Sequence, residues 1–347
     1  MKKNTEPDKV VVLRTDRIGE VLLSTVAIDA IKRRYPEAKI SFVTSRYSEP
    51  LLSTRADIQR LKLFDTIRKR NFFAGALHLA AMLKGEKFDT AVILNPHKSL
   101  HLGCFLAGIP RRIGYDRKWG FLLTDKIPDT KNDGKKHEVE YVMDLLRLID
   151  VKGEVPAPRL FVGHADSAYA EGILTGKGIK KDKPIAVVHP GSSNKAKIWP
   201  MDNYSDLVAR LKNETGCAVC LIGGKEERVL AERIIKSSGV DAANLAGDLS
   251  LARTAALLKR SRLFIGNDAG PMHMAAAMGV KVIAIFGRNI PGVSPARWRP
   301  WGEGHVVFHE PAGCSPCADT ACPYDHRCLR NITVDAVFEA ALKLLRT

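Results

Sequence analysis

The stretch Arg262 to Gly287, RLFIGNDAGPMHMAAAMGVKVIAIFG, constrains the fold more than any other part of this chain. Leu263, Phe264 and Ile265 form a short apolar run, which Gly266-Asn267-Asp268-Ala269-Gly270 interrupts. Pro271 follows where a first helical turn tolerates a residue without an N–H. Met272 to Met278 then predicts a small-residue helix, and Val280 to Phe286 a second buried strand. A strand, loop, helix and strand in this order make a unit of parallel α/β structure. Its loop lies at the carboxyl end of the first strand, where open α/β sheets bind ligands. The helix N-terminus supplies unpaired N–H groups and a positive dipole end, which suit a phosphate. Ala269 and Gly270 are small enough to let a ligand reach the backbone, while Asp268 and His273 add hydrogen-bonding groups. The plainer reading has Asp268 capping the helix and His273 packing beneath it.

The same pattern opens the chain. Val10 to Leu13 predicts a buried strand, and Thr15-Asp16-Arg17-Ile18-Gly19-Glu20 a loop. A helix follows with Val21, Leu22, Thr25, Ile28 and Ile31 on one face at the 3.6-residue period. Tyr35-Pro36 ends it, and Lys39 to Thr44 is the next strand. Further strands are expected at Leu61–Phe64 and Thr90–Leu94, with helices at Phe72–Leu83, from Asn95 to Leu106, and around Glu138–Ile149. Gly108 to Gly114 predicts a turn-rich return.

Glu154-Val155-Pro156-Ala157-Pro158-Arg159 predicts an extended linker, after which a second α/β series begins. Its strands are expected at Ile185–His189, Ala218–Ile222, Leu263–Ile265 and Val282–Phe286. Its helices are expected at Asp202–Lys212, Glu226–Ser237, Leu251–Lys259 and Pro271–Met278. A chain of 347 residues is long for one core and comfortable for two. The expected organisation is therefore residues 1–155, residues 160–330 and a final helix within 331–347. The two doubly wound domains would face a ligand-binding cleft.

The net charge of +16 is weighted toward the first half, where residues 1–160 carry 30 Lys and Arg against 20 Asp and Glu. Clusters fall at Lys32-Arg33-Arg34, Arg68-Lys69-Arg70, Arg111-Arg112 and Lys135-Lys136. Solvated helix ends account for most such charge. The functional reading is a surface for an acidic partner: nucleic acid, anionic lipid headgroups or a phosphorylated glycan. The charges are scattered and not interleaved with aromatics, which argues against nucleic acid. No apolar run reaches membrane-spanning length, and MKKNTEPDKV lacks the apolar core of a signal peptide. A cytoplasmic location is expected.

Of seven cysteines, Cys104, Cys217 and Cys220 lie in apolar contexts. Cys314, Cys317, Cys322 and Cys328 form C-x2-C-x4-C-x5-C, with His326 between the last two. In a cytosolic chain such clustering suggests metal before disulfide. The spacing is not that of a zinc ribbon, so two readings stand: a structural zinc on these four thiols, or thiols that only pack or pair on oxidation.

Four loops carry the chemistry. Arg14 to Glu20 puts the Glu20 carboxylate at a helix N-terminus, as a dipole partner or a general base. His189-Pro190-Gly191-Ser192-Ser193-Asn194-Lys195-Ala196-Lys197-Ile198-Trp199-Pro200 leaves a strand and leads to a helix. Gly191, Ser192 and Ser193 offer phosphate donors there, and Lys195 or Lys197 offers charge. Gly223-Gly224-Lys225-Glu226-Glu227 is a turn open to close approach, with an acid for ribose hydroxyls. The fourth is the opening stretch. No Walker A sequence and no GxGxxG fingerprint follows any strand.

HPGSSNKAKIWP, then LIGGKEER, then FIGNDAGPMHMAAAMGVKVIAIFG resembles glycosyltransferase family 9, the heptosyltransferases of lipopolysaccharide inner-core synthesis. VLRTDRIGEVLLSTVAIDAIKRRYPEAKI looks like that family's opening strand, loop and helix. FDTAVILNPHKSLHLGCFLAGIPRRIGY and CSPCADTACPYDHRC look most like its heptosyltransferase II branch. The resemblance implies a GT-B fold of two Rossmann-like domains and inverting transfer of heptose from ADP-L-glycero-β-D-manno-heptose, with no cofactor needed for catalysis. Carried over by position, Ser192, Ser193 and Lys197 would hold the diphosphate. Glu226 or Glu227 would meet the ribose, and Asp268, Ala269, Gly270 and His273 the phosphates and sugar. The family's base position, commonly Asp, is Glu20 here, and Ala269 stands where Thr is common. Lys197 would also assist catalysis by stabilising the departing ADP.

The implied partners are the ADP-heptose donor, a lipopolysaccharide inner-core acceptor and, peripherally, the inner leaflet of the cytoplasmic membrane. Lys98, Arg111, Arg112 and Arg117 are the acceptor candidates. Two other readings stay open: another family 9 activity with a different sugar or acceptor, and a nucleotide-sugar-binding protein without catalysis.

Overall fold

The structure, a computed structural model, describes residues 6–65, 71–314 and 317–346. The basic cluster Arg68-Lys69-Arg70 lies outside them. The chain divides into two compact units, Met1–Phe161 and Val162–Thr347.

In chain order the first unit comprises β1 (Lys9–Leu13), α1 (Ile18–Leu23), α2 (Val26–Arg34), β2 (Lys39–Thr44), β3 (Arg60–Leu63) and α3 (Phe72–Leu83). It continues with β4 (Thr90–Ile93), α4 (Lys98–Leu106), β5 (Arg111–Tyr115), β6 (Asp125–Ile127) and α5 (Glu138–Leu146). Its strands pair in parallel in the order β3-β2-β1-β4-β5-β6. Val10 to Leu13 are buried on both faces of the sheet, which is why β1 reads as an unbroken apolar run.

Two expectations for this unit change. The single helix after Glu20 is two, broken at Ser24-Thr25. Ser24 Oγ donates to the Glu20 carbonyl at 2.7 Å and Thr25 Oγ1 to the Leu22 carbonyl at 2.7 Å. Such hydroxyl back-bonding competes with the helical ladder and bends it. The second change is in the return at Gly108 to Gly114, where residues from Arg111 onward form strand β5, pairing Val92 with Ile113 and Ile93 with Gly114. Two leading arginines mask its apolar end, Ile113 and Tyr115, both buried.

The second unit comprises α6 (His164–Gly176), β7 (Ile185–His189), α7 (Met201–Thr215), β8 (Ala218–Leu221), α8 (Arg228–Ser238) and β9 (Ala243–Asn244). After these come α9 (Leu251–Arg260), β10 (Leu263–Asn267), α10 (Gly270–Ala277), β11 (Lys281–Phe286), α11 (Pro295–Trp298), β12 (Val306–His309), α12 (Arg327–Arg330) and α13 (Val334–Arg346). Read from β9, the sheet order β9-β8-β7-β10-β11-β12 repeats the winding of the first unit. The final helix joins this unit's core, where Val337, Phe338 and Ala341 are buried with Val208 and Leu211.

In each sheet the winding reverses between the first strand and the fourth. A doubly wound sheet opens its ligand crevice outside the carboxyl ends of the strands at that switch point. The loops so placed follow β1 and β4 in the first unit, and β7 and β10 in the second.

Candidate active site

In the second unit the two switch-point loops are joined by Asn267, the last residue of β10. It is fully buried. Its Oδ1 accepts from the Trp199 N–H at 3.1 Å and the Tyr204 hydroxyl at 2.9 Å. Its Nδ2 donates to the carbonyls of Pro190 at 2.9 Å and Gly191 at 3.2 Å. All four hydrogen-bonding positions of the amide are thus filled, and the loop after β7 is fixed to the turn before α10. Trp199 locks the far end of that loop: its Nε1 donates to the Ile332 carbonyl at 2.9 Å, and its ring meets Tyr204 edge-on at 5.0 Å.

Asp268 is the next residue. Ala269, not Asp268, is the N-cap of α10, and no side chain caps that helix. Instead the buried Asp268 carboxylate pairs with Lys197 Nζ at 2.5 Å, and Arg288 Nη2 stands 4.0 Å away. Lys197 Nζ also donates to the Asp268 carbonyl at 3.3 Å. Two cations therefore converge at the start of α10, whose dipole adds positive potential to the same point. His273, in the first turns of the helix, is buried and meets Trp298 edge-on at 6.3 Å.

Between the alternatives Lys195 and Lys197, the structure turns Lys197 to this point and leaves Lys195 exposed. Ser192 Oγ accepts the Asn194 N–H at 3.4 Å, and Ser193 is exposed. Glu227 is drawn inward. Its carboxylate accepts the Gly224 N–H at 2.5 Å and packs on Gly191, where a Cβ would lie 2.6 Å from Glu227 Cγ. Only glycine at 191 permits that approach. Burial pushes the Glu227 carboxyl above its ordinary value, and the neighbouring Glu226 charge adds to this while the Gly224 amide opposes it. Glu226 is exposed.

Two residues of this site escape a reading of the sequence. Arg288 follows β11 in a left-handed conformation that brings its side chain back toward Asp268. Asp319, from the cysteine-rich segment, accepts from Asn194 Nδ2 at 3.1 Å and pairs with Arg288 Nη1 at 3.3 Å. Its position after a strand carboxyl end could have flagged Arg288. No local signal marks Asp319, because its partners are distant in the chain.

Among the described residues no group of three or more His, Cys, Asp or Glu side chains is placed to hold a metal ion. Cys314, Cys317, Cys322 and Cys328 are free, half-buried thiols. Left-handed backbone at Asp319, Asp325 and His326 turns the cysteine-rich segment so that Asp319 meets the loop after β7. The zinc reading of the spacing therefore finds no ligand set among these residues.

In the first unit Thr15 and Asn95 tie the two switch-point loops, through Thr15 N–H to Asn95 Oδ1 and Asn95 Nδ2 to Thr15 Oγ1, both at 3.3 Å. Buried Arg14 pairs with Asp16 at 2.7 Å and with Glu138 at 2.9 Å. Glu20 is half-buried beside them. Burial, and then the Asp16 charge, push its carboxyl above the ordinary glutamate value against the pull of Arg14. A carboxylate with enhanced basicity at a switch point is suited to take a proton.

The acceptor candidates separate. Lys98 starts α4 and Arg117 follows β5, so both lie at the carboxyl side of the sheet, with Arg117 paired to Asp129 at 3.1 Å. Arg111 begins β5 at the opposite, amino edge, donates to the Leu148 carbonyl, and lines a cavity of about 340 Å³ with Arg34, Tyr35 and Arg147. Arg112 donates to the carbonyls of Leu122 at 2.8 Å and Ile109 at 2.5 Å. The structure does not bring these two arginines together with Glu20.

Two six-stranded parallel sheets of the same winding define the GT-B class of glycosyltransferase. The chain belongs to glycosyltransferase family 9 (heptosyltransferase), whose profile matches residues 76–327. Lipopolysaccharide heptosyltransferase 2 of Salmonella typhimurium strain LT2 is 25% identical over a 351-residue alignment covering 97% of this chain and 98% of that protein. Among solved structures, a family 9 glycosyltransferase from Veillonella parvula DSM 2008 matches with TM-score 0.85 at 19% identity, over 99% of both chains. E. coli ADP-heptose lps heptosyltransferase II matches with TM-score 0.78 at 23% identity, over 97% of this chain and 98% of that one. These two likenesses establish the fold.

Proposed function

We propose that this chain transfers heptose from ADP-L-glycero-β-D-manno-heptose to the lipopolysaccharide inner core with inversion at the anomeric carbon. The convergence of Lys197, Arg288 and the α10 N-terminus on one turn carries this reading. In it the diphosphate lies on that turn, held by Lys197, the Ser192 and Ser193 groups and the Ala269-Gly270 backbone. Asp268 holds Lys197 in position, and Asp268 and His273 serve the phosphates and the sugar. With Glu227 fixed against the Gly224 amide, exposed Glu226 is the group for the ribose hydroxyls. Glu20 takes the proton from the attacking acceptor hydroxyl as the new oxygen–C1 bond forms and the bond from C1 to the phosphate oxygen breaks. Lys197 and Arg288 stabilise the charge that develops on ADP, so no metal is needed for that step.

The acceptor is a glycolipid, so the reaction takes place at the inner leaflet of the cytoplasmic membrane. No helix among the described residues is long and apolar enough to cross a membrane. Peripheral association at that leaflet is part of the proposal, with Lys98 and Arg117 nearest the acceptor.

Calorimetric titration tests the donor assignment. ADP-heptose is expected to bind selectively over UDP-GlcNAc, and Lys197→Met to weaken that binding by about 10-fold to 100-fold. Tighter binding of UDP-GlcNAc would overturn the donor assignment. Glu20→Gln should bind donor normally and lower kcat by about 10²- to 10⁴-fold. Turnover that survives this change would remove Glu20 as the base. Because Glu20 is held above the ordinary glutamate value, kcat should fall on acidification before an unperturbed glutamate would protonate.

A further inference from the structure

We propose that the α3–α4 face of the first unit, with the loop at 117–121, docks on the surface of an anionic lipid bilayer. This builds on the membrane-anchored acceptor proposed above and names the surface that meets the membrane. The first observation is α3. Its sequence, FFAGALHLAAML, contains no charged residue. Ala76, Leu79, Ala80 and Leu83 face the core. On the opposite side Phe73 is 52% exposed and Leu77, one turn on, 63% exposed. His78 is the one polar residue among the exposed positions of α3, where a surface helix of a soluble domain ordinarily carries polar residues throughout.

The face extends beyond α3. Ser99 Oγ donates to the Phe72 carbonyl at 3.0 Å, joining the starts of α3 and α4, which run side by side. Phe105, 48% exposed, and Leu106 stand at the far end of α4. At the near end the rings form a chain: Phe73 to Phe72 at 4.0 Å, Phe72 to Trp119 at 5.1 Å, and Trp119 to Phe121 at 5.8 Å. Phe121 is 71% exposed. Lys118 and Trp119 both have left-handed backbone, with φ of 46° and 70°. L side chains rarely adopt that conformation. Here it sets the Trp119 ring against Phe72 and Phe73 on the outer face.

Charge identifies the occupant. Lys98 Nζ lies 5.3 Å from the Phe72 ring centre and 5.8 Å from that of Trp119. The Arg112 guanidinium stands 5.4 Å over Phe105. Arg117 and Lys118 are exposed in the loop. The nearby carboxylates are already paired, Asp116 with Lys126 at 3.0 Å and Asp129 with Arg117 at 3.1 Å. Aromatic side chains that enter the headgroup boundary, rimmed by lysine and arginine, fit a negatively charged membrane surface.

Vesicle co-sedimentation of the full-length chain, without donor or acceptor, tests this. Vesicles of phosphatidylcholine mixed with phosphatidylglycerol should bind at least about 10-fold more tightly than phosphatidylcholine alone, and high salt should weaken the binding. The double variants Phe73→Ser/Phe121→Ser and Leu77→Gln/Phe105→Ser should each lose about 10-fold or more of that affinity. Both should keep the wild-type circular dichroism spectrum and ADP affinity. Equal binding to both vesicle types, or unchanged binding by both folded variants, would overturn the inference. So would wild-type self-association in sedimentation velocity that these variants abolish, which would assign the face to a second copy of the chain. Failure of ADP-heptose turnover would overturn the proposed function and leave the vesicle result intact.

Discussion

Asn267 shows how one side chain can hold a site that it does not enter. Its amide joins the loop after β7 to the turn before α10 through four hydrogen bonds. Replacement by leucine would strand the Trp199 N–H and the carbonyls of Pro190 and Gly191 in a buried place. Each unsatisfied buried group costs about 1–3 kcal/mol, so Asn267→Leu should destabilise the second unit by roughly 3 kcal/mol or more and weaken donor binding with it. Tyr204→Phe removes only the hydroxyl that bonds Asn267 Oδ1 and should cost about 1 kcal/mol. Urea denaturation of the two variants, compared with donor titration, separates the loss of the loop from the loss of one bond. A variant Asn267→Leu as stable as wild type would show that the loop holds itself.

At the scale of elements, packing decides what propensity does not. Gly103 lies in α4 where a Cβ would stand 2.9 Å from Leu79 Cβ and 2.7 Å from Leu79 Cδ2. Alanine is the better helix former by about 1 kcal/mol, but forcing α4 away from α3 costs about 1–3 kcal/mol. Gly103→Ala is therefore expected to destabilise the first unit by about 1 kcal/mol or slightly more, and a rise in its urea midpoint would contradict the close approach. Strands buried on both faces, such as Ile185–His189, were legible in the sequence because burial demands an unbroken apolar run. β5 was not, since Arg111 and Arg112 open it at the sheet edge. α6 was missed because Ala170 and Leu174 are the residues it buries, too few to set up a period. The turn before α10 was legible in its local residues, of which Asp268 pairs with Lys197 and Gly270 starts the helix. Arg288 and Asp319 were not, because contacts such as Asn194 with Asp319 join residues 125 apart in the chain.

For the whole molecule, each unit has its own sheet and core, with Val11, Leu13, Leu79 and Ile93 in the first and Val188, Leu207, Ile265 and Phe338 in the second. Calorimetry should then resolve two unfolding transitions, of which ADP raises one. At a hundredfold excess over Kd a ligand adds about 2.7 kcal/mol to the unit that binds it. The same transition should weaken in acid. Burial pushes His189, at the end of β7, down to about 4. The folded unit thus binds fewer protons than the unfolded chain below the ordinary histidine value near 6.5. Stability fully present above that value should fall by roughly 3 kcal/mol as the pH drops to about 4. Movement of different transitions by ADP and by acid, or of neither transition by either, would contradict this division of labour. The Lys197–Asp268 pair has a further consequence for turnover. In the proposed donor complex a diphosphate shares Lys197 with a carboxylate already 2.5 Å from it, so its gain is smaller than an unpaired lysine would give. On this proposal Asp268 competes with the spent nucleotide for the lysine, which favours product release.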